Sequence, residues 1–184
     1  MNKKPTLIQF WGGPGSGKSI GACSLYTLMA ISPSYEEVGL VREFAKKYAI
    51  LRDREALSDQ RFITGGQAAS LYIAKLEYKT IISDSAIELG RVYCSDSKDL
   101  EFIEKTISEV YSDFNVVNVF IRRNFDLAFE EAGRVHNLKE SMEIDAETCE
   151  MAQAAPGLYL EWTTSRNIYT LFTAVDAALR KNSE

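Results

Sequence analysis

Short, nearly continuous apolar runs alternate along this chain with longer segments in which apolar residues recur at helical spacing. Thr6–Trp11, Glu37–Val41, Lys79–Asp84, Asn115–Ile121 and Pro156–Trp162 read as strands, because unbroken hydrophobicity over so few residues suits a strand covered on both faces. Helical spacing marks Ile20–Ala30, with Ile20, Cys23, Leu25, Leu28 and Met29 as its apolar positions and Ser32-Pro33-Ser34 as its end. It also marks Ser58–Tyr78, where Ser58 or Asp59 can cap the start, and where Gly65-Gly66 either breaks the helix or admits a close backbone approach. Asp99–Asp113 is amphipathic, Lys139–Met151 is helical, and Ile168–Leu179 closes the chain with Ile168, Leu171, Phe172, Val175 and Leu179 inward. Strand and helix alternate throughout. The pattern predicts an α/β three-layer sandwich in which a mostly parallel five-stranded sheet is flanked by helices.

The turn after the first strand is Gly12-Gly13-Pro14-Gly15-Ser16-Gly17-Lys18-Ser19, the spacing of a P-loop. Glycines let successive backbone N–H groups turn into one concavity, and the helix that follows adds its positive end. Such a cradle suits a polyphosphate, with Lys18 reaching its outer phosphates and the Ser19 hydroxyl a ligand for Mg²⁺. The sandwich is therefore expected to be P-loop NTPase-like, with ATP and Mg²⁺ as its ligands.

In an open α/β sheet, ligands sit beyond the carboxyl ends of the strands. Glu43, just past the second strand, is accordingly a candidate site carboxylate, with a solvated helix-cap charge as the alternative. Asp84 ends the third strand, where it can orient Mg²⁺ or accept a proton, or else cap the next helix. Gln60 and Gln67 lie seven apart, on one face of a continuous helix, where amides can read a base edge or simply meet solvent. Arg122 and Arg123 follow the fourth strand and Arg134 lies in the polar stretch Gly133–Asn137. Each offers a fixed cationic fork for phosphate oxygens, or an ion pair with Asp126, Glu130 or Glu131. His136, the only histidine, is assigned no role as a base.

Composition narrows the classes. At 184 residues the length suits one domain, 1–184, and no apolar run approaches the roughly 18 to 20 residues of a membrane span. The Met1-Asn2-Lys3-Lys4 start runs straight into a strand without a secretory signal, so a cytoplasmic location is expected. Cys23, Cys94 and Cys149 are scattered and suggest neither a disulfide framework nor a zinc site. A net charge of −5 argues against a broad basic surface for nucleic acid, and mildly favours a small acceptor over DNA. The oligomeric state stays open.

Three kinds of P-loop protein compete. A switch GTPase would carry an Asn-Lys-x-Asp guanine-reading motif, which is absent. A motor ATPase would usually show an Asp-Glu pair at the acidic strand, where this chain has Asp84-Ser85, and a further helical domain. A small kinase needs a compact core, an acid at a strand end and an arginine-bearing lid, here about 123–140. Together Phe10–Ser19, Val41–Lys46, Asp59-Gln60, Gln67, Ile81–Ser85 and Gly133–Asn137 resemble the phage-encoded P-loop kinase-like proteins, often described as AAA-family ATP-binding proteins. That family is similar to nucleoside and nucleotide kinases, and its relatives include phage kinases acting on 5-hydroxymethyluracil in DNA. The resemblance implies Lys18 and Ser19 for ATP-Mg²⁺, Asp84 near metal or acceptor, Glu43 and Gln67 on the acceptor side, and Arg134 in the lid. If phage-encoded, the chain would act in the host cytoplasm. Ile20 replaces the usual Thr or Ser after the motif, Asp84 lacks a following proline, and Ala128–Ala132 approaches Gly133 with unusual acidity. The expected activity is transfer of the γ-phosphate of ATP to a nucleoside, a nucleotide or a hydroxymethylated base in DNA. The alternative is a nucleotide-binding regulator or partner-dependent ATPase.

Overall fold

The computed structural model describes residues 4–126, 137–164 and 167–181. Its elements run β1 (Thr6–Trp11), α1 (Lys18–Ala30), β2 (Val38–Val41), α2 (Lys46–Leu51), α3 (Arg54–Ser58), α4 (Gln60–Lys75) and β3 (Thr80–Ser83). There follow α5 (Leu89–Val92), α6 (Ser97–Asp113), β4 (Asn115–Arg122), α7 (Leu138–Ala154), β5 (Leu158–Thr163) and α8 (Ile168–Lys181). All five strands are parallel, in the order β2-β3-β1-β4-β5. The chain leaves β1 toward one side of the sheet and later returns to its other side. The turn after β1 therefore sits at the switch point, where parallel sheets open a crevice.

Side-chain alternation explains the layers. Leu7 faces a cluster with Ala68, Leu71, Ile81, Ile103 and Ile107, under α4 and α6. Ile8 and Phe10 face the opposite cluster, with Ala22, Leu25 and Met29 from α1 and Leu171 and Val175 from α8. Helix α1 begins at Lys18, two residues ahead of its first apolar position, because its opening residues belong to the glycine loop. Ile20, expected inward, is 55% exposed, and Gly21 takes the inner position against the Phe10 ring. Helix α4 is continuous through Gly65-Gly66, capped by Asp59 accepting from the Phe62 N–H. Gly66 is where Phe44 packs onto the helix: a Cβ there would lie 2.3 Å from the ring. No helix among the described residues is long and apolar enough to cross a membrane.

One polar network runs through the sheet's interior. Gln9 of β1 and Asn118 of β4 are register partners, and the Gln9 amide nitrogen donates to Asn118 Oδ1 at 2.9 Å and to Glu88 Oε2 at 2.9 Å. Trp11 Nε1 also donates to Asn118 Oδ1, and the Tyr111 hydroxyl donates to Glu88. The Gln9 carbonyl accepts the Ile87 N–H at 3.2 Å, which ties the segment after β3 to the central strand. Glu88 is 1% exposed. Burial pushes its carboxyl up to about 7, against the pull of Tyr111, Gln9 and the nearby Arg91.

This raised value has a sign. Between the ordinary carboxylate range and pH 7 the folded chain holds a proton that the unfolded chain releases. The stability from that proton is complete below about pH 4.5 and is lost as pH rises through about 7, a change on the order of 3 kcal/mol. Denaturant unfolding of wild type and Glu88→Gln across pH 5 to 8 checks it. Wild type should lose stability relative to the variant as pH rises, and parallel curves would remove Glu88 as the cause.

Candidate active site

The loop between β1 and α1 holds its shape through left-handed glycines, with φ of 131° at Gly12, 75° at Gly15 and 104° at Gly17. At Gly12 a side chain is excluded twice over, by that φ and by the Ser16 hydroxyl 2.7 Å from where its Cβ would be. Lys18 is buried and donates back to the loop's own carbonyls, Gly12 O at 2.6 Å and Gly13 O at 3.1 Å. Burial pulls its ammonium below the ordinary lysine value, while Glu43, Asp145 and Asp84 pull it back up.

Asp84 is the junction of three segments. It is fully buried, its Oδ2 accepts from Ser19 Oγ at 3.1 Å and from Arg42 Nε at 2.9 Å, and its Oδ1 accepts the Glu43 N–H. Lys46 donates to the Ser19 hydroxyl at 3.4 Å. The structure thus gathers Lys18, Ser19, Asp84 and Glu43 around one end of the sheet. Half-buried Glu43 has its carboxyl raised, chiefly by burial and further by Asp84, with Lys18 opposing.

Gln67 is also gathered here, but as a brace. Its carbonyl accepts the Phe44 N–H at 2.8 Å and its amide donates to Ser83 Oγ at 3.1 Å. Gln60 is buried too, and its amide donates to Leu57 O at 2.7 Å instead of joining the group around Asp84. Beside Glu43 lies a cavity of about 40 Å³ lined among others by Thr64, Gln67, Ser85 and Tyr93. A far larger groove of about 1280 Å³ crosses the amino ends of the strands, past Thr6 and Thr80. It lies at the opposite end of the sheet from the glycine loop, so the small cavity is the one placed for chemistry at Lys18.

The arginines separate in kind. Arg122 pairs with Glu161 at 2.5 Å on the surface. Arg123 is buried: its Nε donates to Asp145 Oδ2 at 2.6 Å and one terminal nitrogen to Pro14 O at 2.9 Å. Asp145 also accepts the Gly13 N–H at 2.7 Å, so a carboxylate on α7 grips the glycine loop directly. Arg134, Gly133 and His136 lie outside the described residues, as does most of the lid stretch. Asp145, Thr64 and Tyr93 escaped the sequence reading. The available signal for Asp145 was the small buried set Ser141, Thr148 and Ala152 on the same helix, which marks a face pressed close to something.

Neither a protein-family model nor any curated protein sequence matches the chain. Solved structures do, kinases among them. The thymidylate kinase from Ehrlichia chaffeensis superposes with a TM-score of 0.65 at 17% identity, covering 97% of this chain and 100% of that one. The deoxyadenosine kinase from M. mycoides with bound dATP gives a TM-score of 0.59 at 15% identity, covering 95% and 99%. Identities this low establish the fold, an α/β three-layer P-loop kinase fold, and no more.

The two arginine pairs should respond differently to substitution. Asp145→Asn keeps an acceptor for Gly13 but leaves Arg123 buried beside a neutral group, which should cost about 3 kcal/mol in denaturant unfolding. Arg122→Ala, on a pair whose arginine is 64% exposed, should cost less than about 1 kcal/mol. Equal losses would refute the distinction.

Proposed function

We propose that residues 1–184 form one ATP-dependent phosphotransferase domain that moves the γ-phosphoryl group to a nucleoside, a nucleotide or a hydroxymethylated base. The observation that carries the reading is the placement of a half-buried carboxylate, Glu43, which neighbours the glycine loop's Lys18 and also lines a separate small cavity. Phosphoryl transfer needs this division: a cradle for the donor, a compartment for the acceptor, and a proton acceptor between them.

In this reading the loop Gly12–Ser19 binds the triphosphate, and Lys18 neutralises charge that develops on the β,γ-bridging oxygen as it leaves with the nucleoside diphosphate. Glu43 orients or deprotonates the acceptor, and Asp84 fixes Glu43 and Ser19 in place. Arg123 works through the loop it braces, and Arg134 supplies a cation from the lid. The donor set fits Mg²⁺: Ser19 and Asp84 are two adjacent hard oxygen donors beside the phosphate cradle. Bound there, Mg²⁺ would draw charge from the phosphate oxygens. Sequence resemblance to phage kinases keeps 5-hydroxymethyluracil in DNA among the acceptors.

Incubation with ATP-Mg²⁺ and separate panels of nucleosides, nucleotides and hydroxymethylated oligonucleotides tests the proposal. One panel should become labelled, and Lys18→Ala should lower that transfer by about 100-fold or more. Phosphate released to water alone would replace the kinase reading with a regulator or partner-dependent ATPase. Arg134→Ala should reduce turnover far more than nucleotide affinity, because a lid cation acts mainly in the transition state. Steady-state kinetics beside direct nucleotide titration separates the two, and equal losses would count against the lid role.

A further inference from the structure

The cavity beside Glu43 carries information about what enters it. Among the described residues lining it there is one carboxylate, from Glu43, and no lysine or arginine. Its other polar groups are neutral, from Thr64, Gln67, Ser85 and Tyr93, and the remaining walls are alanine, isoleucine, leucine and glycine. Gln67 already has its carbonyl on Phe44 N–H and its amide on Ser83. Thr64 is different: the residue is 2% exposed, its side chain packs against Gly90 of the same wall, and its hydroxyl has no hydrogen-bond partner. A buried, unpartnered hydroxyl lining a cavity is an open request for a polar ligand atom.

Nearby cations are engaged on the donor side. Arg42 is held on Asp84, Arg123 on Asp145, and Lys46 donates to Ser19. A phosphate monoester seated in this cavity would put its dianion beside Glu43 with no cation in the wall, an arrangement that like-charge repulsion and desolvation both oppose. A neutral alcohol meets the opposite conditions. It can accept from Thr64 and donate to Glu43, and it brings no charge to be desolvated.

Resting on the kinase reading, we infer that the acceptor reacts through a neutral hydroxyl, with no phosphate seated beside it, and that Thr64 donates a hydrogen bond to this hydroxyl. The acceptor oxygen forms the new bond to the γ-phosphorus as the bond from that phosphorus to the β,γ-bridging oxygen breaks. The electron pair leaves with the nucleoside diphosphate, and the hydroxyl proton passes to the Glu43 carboxylate. About 40 Å³ holds little more than one water, so the cavity takes the reacting end of the acceptor alone. The bulk of a larger acceptor must lie toward α2 and α3. Neither helix has a buried residue, and the segment is seated by the rings of Phe44, Tyr48 and Phe62 packed edge to face or tilted against one another. Two sources supply a neutral primary hydroxyl, the sugar of a nucleoside and the hydroxymethyl group of a modified pyrimidine.

The test compares nucleosides, their 5′-monophosphates, and oligonucleotides with or without 5-hydroxymethylpyrimidine, with ATP-Mg²⁺ at pH 8. Nucleosides or hydroxymethylated DNA should be phosphorylated with kcat/KM at least about 100-fold above any monophosphate, and the labelled arm identifies the source. Monophosphates as the best acceptors would overturn the inference and leave the kinase reading standing. No labelled acceptor at all would sink both. Two variants sharpen the outcome. Glu43→Gln should cut kcat by about 100-fold with ATP affinity within about twofold, since a hydroxyl needs a base whereas a phosphate acceptor is already ionised at this pH. Thr64→Val, matched in shape, should raise the acceptor KM about fivefold to tenfold while leaving ATP affinity unchanged. Full activity in Glu43→Gln, or an unchanged acceptor KM in a folded Thr64→Val, would refute the assignment.

Discussion

A fully buried carboxylate, Asp84, sets the geometry of everything chemical in this chain. It meets the first turn of α1 through Ser19, the exit of β2 through Arg42, and the backbone of Glu43 through its second oxygen. A buried charge of this kind is tolerable only when donors surround it, and here they come from two segments other than its own strand, the start of α1 and the exit of β2. Satisfying Asp84 therefore fixes three segments relative to one another. The glycine loop, the carboxylate beside the cavity and the strand that carries Asp84 become one rigid unit, placed by parallel pairing of β1 with β3 and of β3 with β2.

Charge balance around Lys18 follows from that unit. Its ammonium is buried among Glu43, Asp145 and Asp84, with Arg123 the opposing cation. Burial draws its ammonium below the ordinary lysine value, and the three carboxylates oppose that shift. Each carboxylate comes from a different segment, so the charge state of the central lysine depends on the tertiary fold as a whole. Asp145 adds a second connection. By gripping the Gly13 N–H and Arg123 together, it joins α7 to the loop that would receive a triphosphate.

Much of the architecture was legible because its signals are local. Continuous apolar runs and a contiguous glycine motif announce themselves within ten residues, and they locate the sheet and the loop. Helix starts shifted where polar residues begin a helix for tertiary reasons: Lys18 and Ser19 open α1 although periodicity begins later. Gly66 was ambiguous for the same cause, since only the Phe44 ring, distant in sequence, shows why a glycine stands there. In the site, Lys18, Ser19, Asp84 and Glu43 could be nominated from motif and strand ends. Asp145 could not, because it acquires meaning only through contact with Gly13, 132 residues away. Thr64 was invisible too, for its significance is the absence of a partner in three dimensions.

Gln67 shows that a polar side chain at a site can have a bracing task of its own. An inward glutamine beside a cavity suggests a reader of base edges, yet both ends of its amide are engaged, one by Phe44 and one by Ser83. The Ser83 hydroxyl in turn donates to Ser85 O, so this chain of bonds stiffens the strand end next to Asp84. Freeing Gln67 to read a ligand would break hydrogen bonds in a buried setting, where each unmade bond costs about 1 to 3 kcal/mol. A side chain under that constraint serves geometry better than recognition. In the proposed kinase, discrimination of the acceptor would then fall to groups with capacity to spare: the unpaired Thr64 hydroxyl, the Glu43 carboxylate, and the ring-seated segment of α2 and α3.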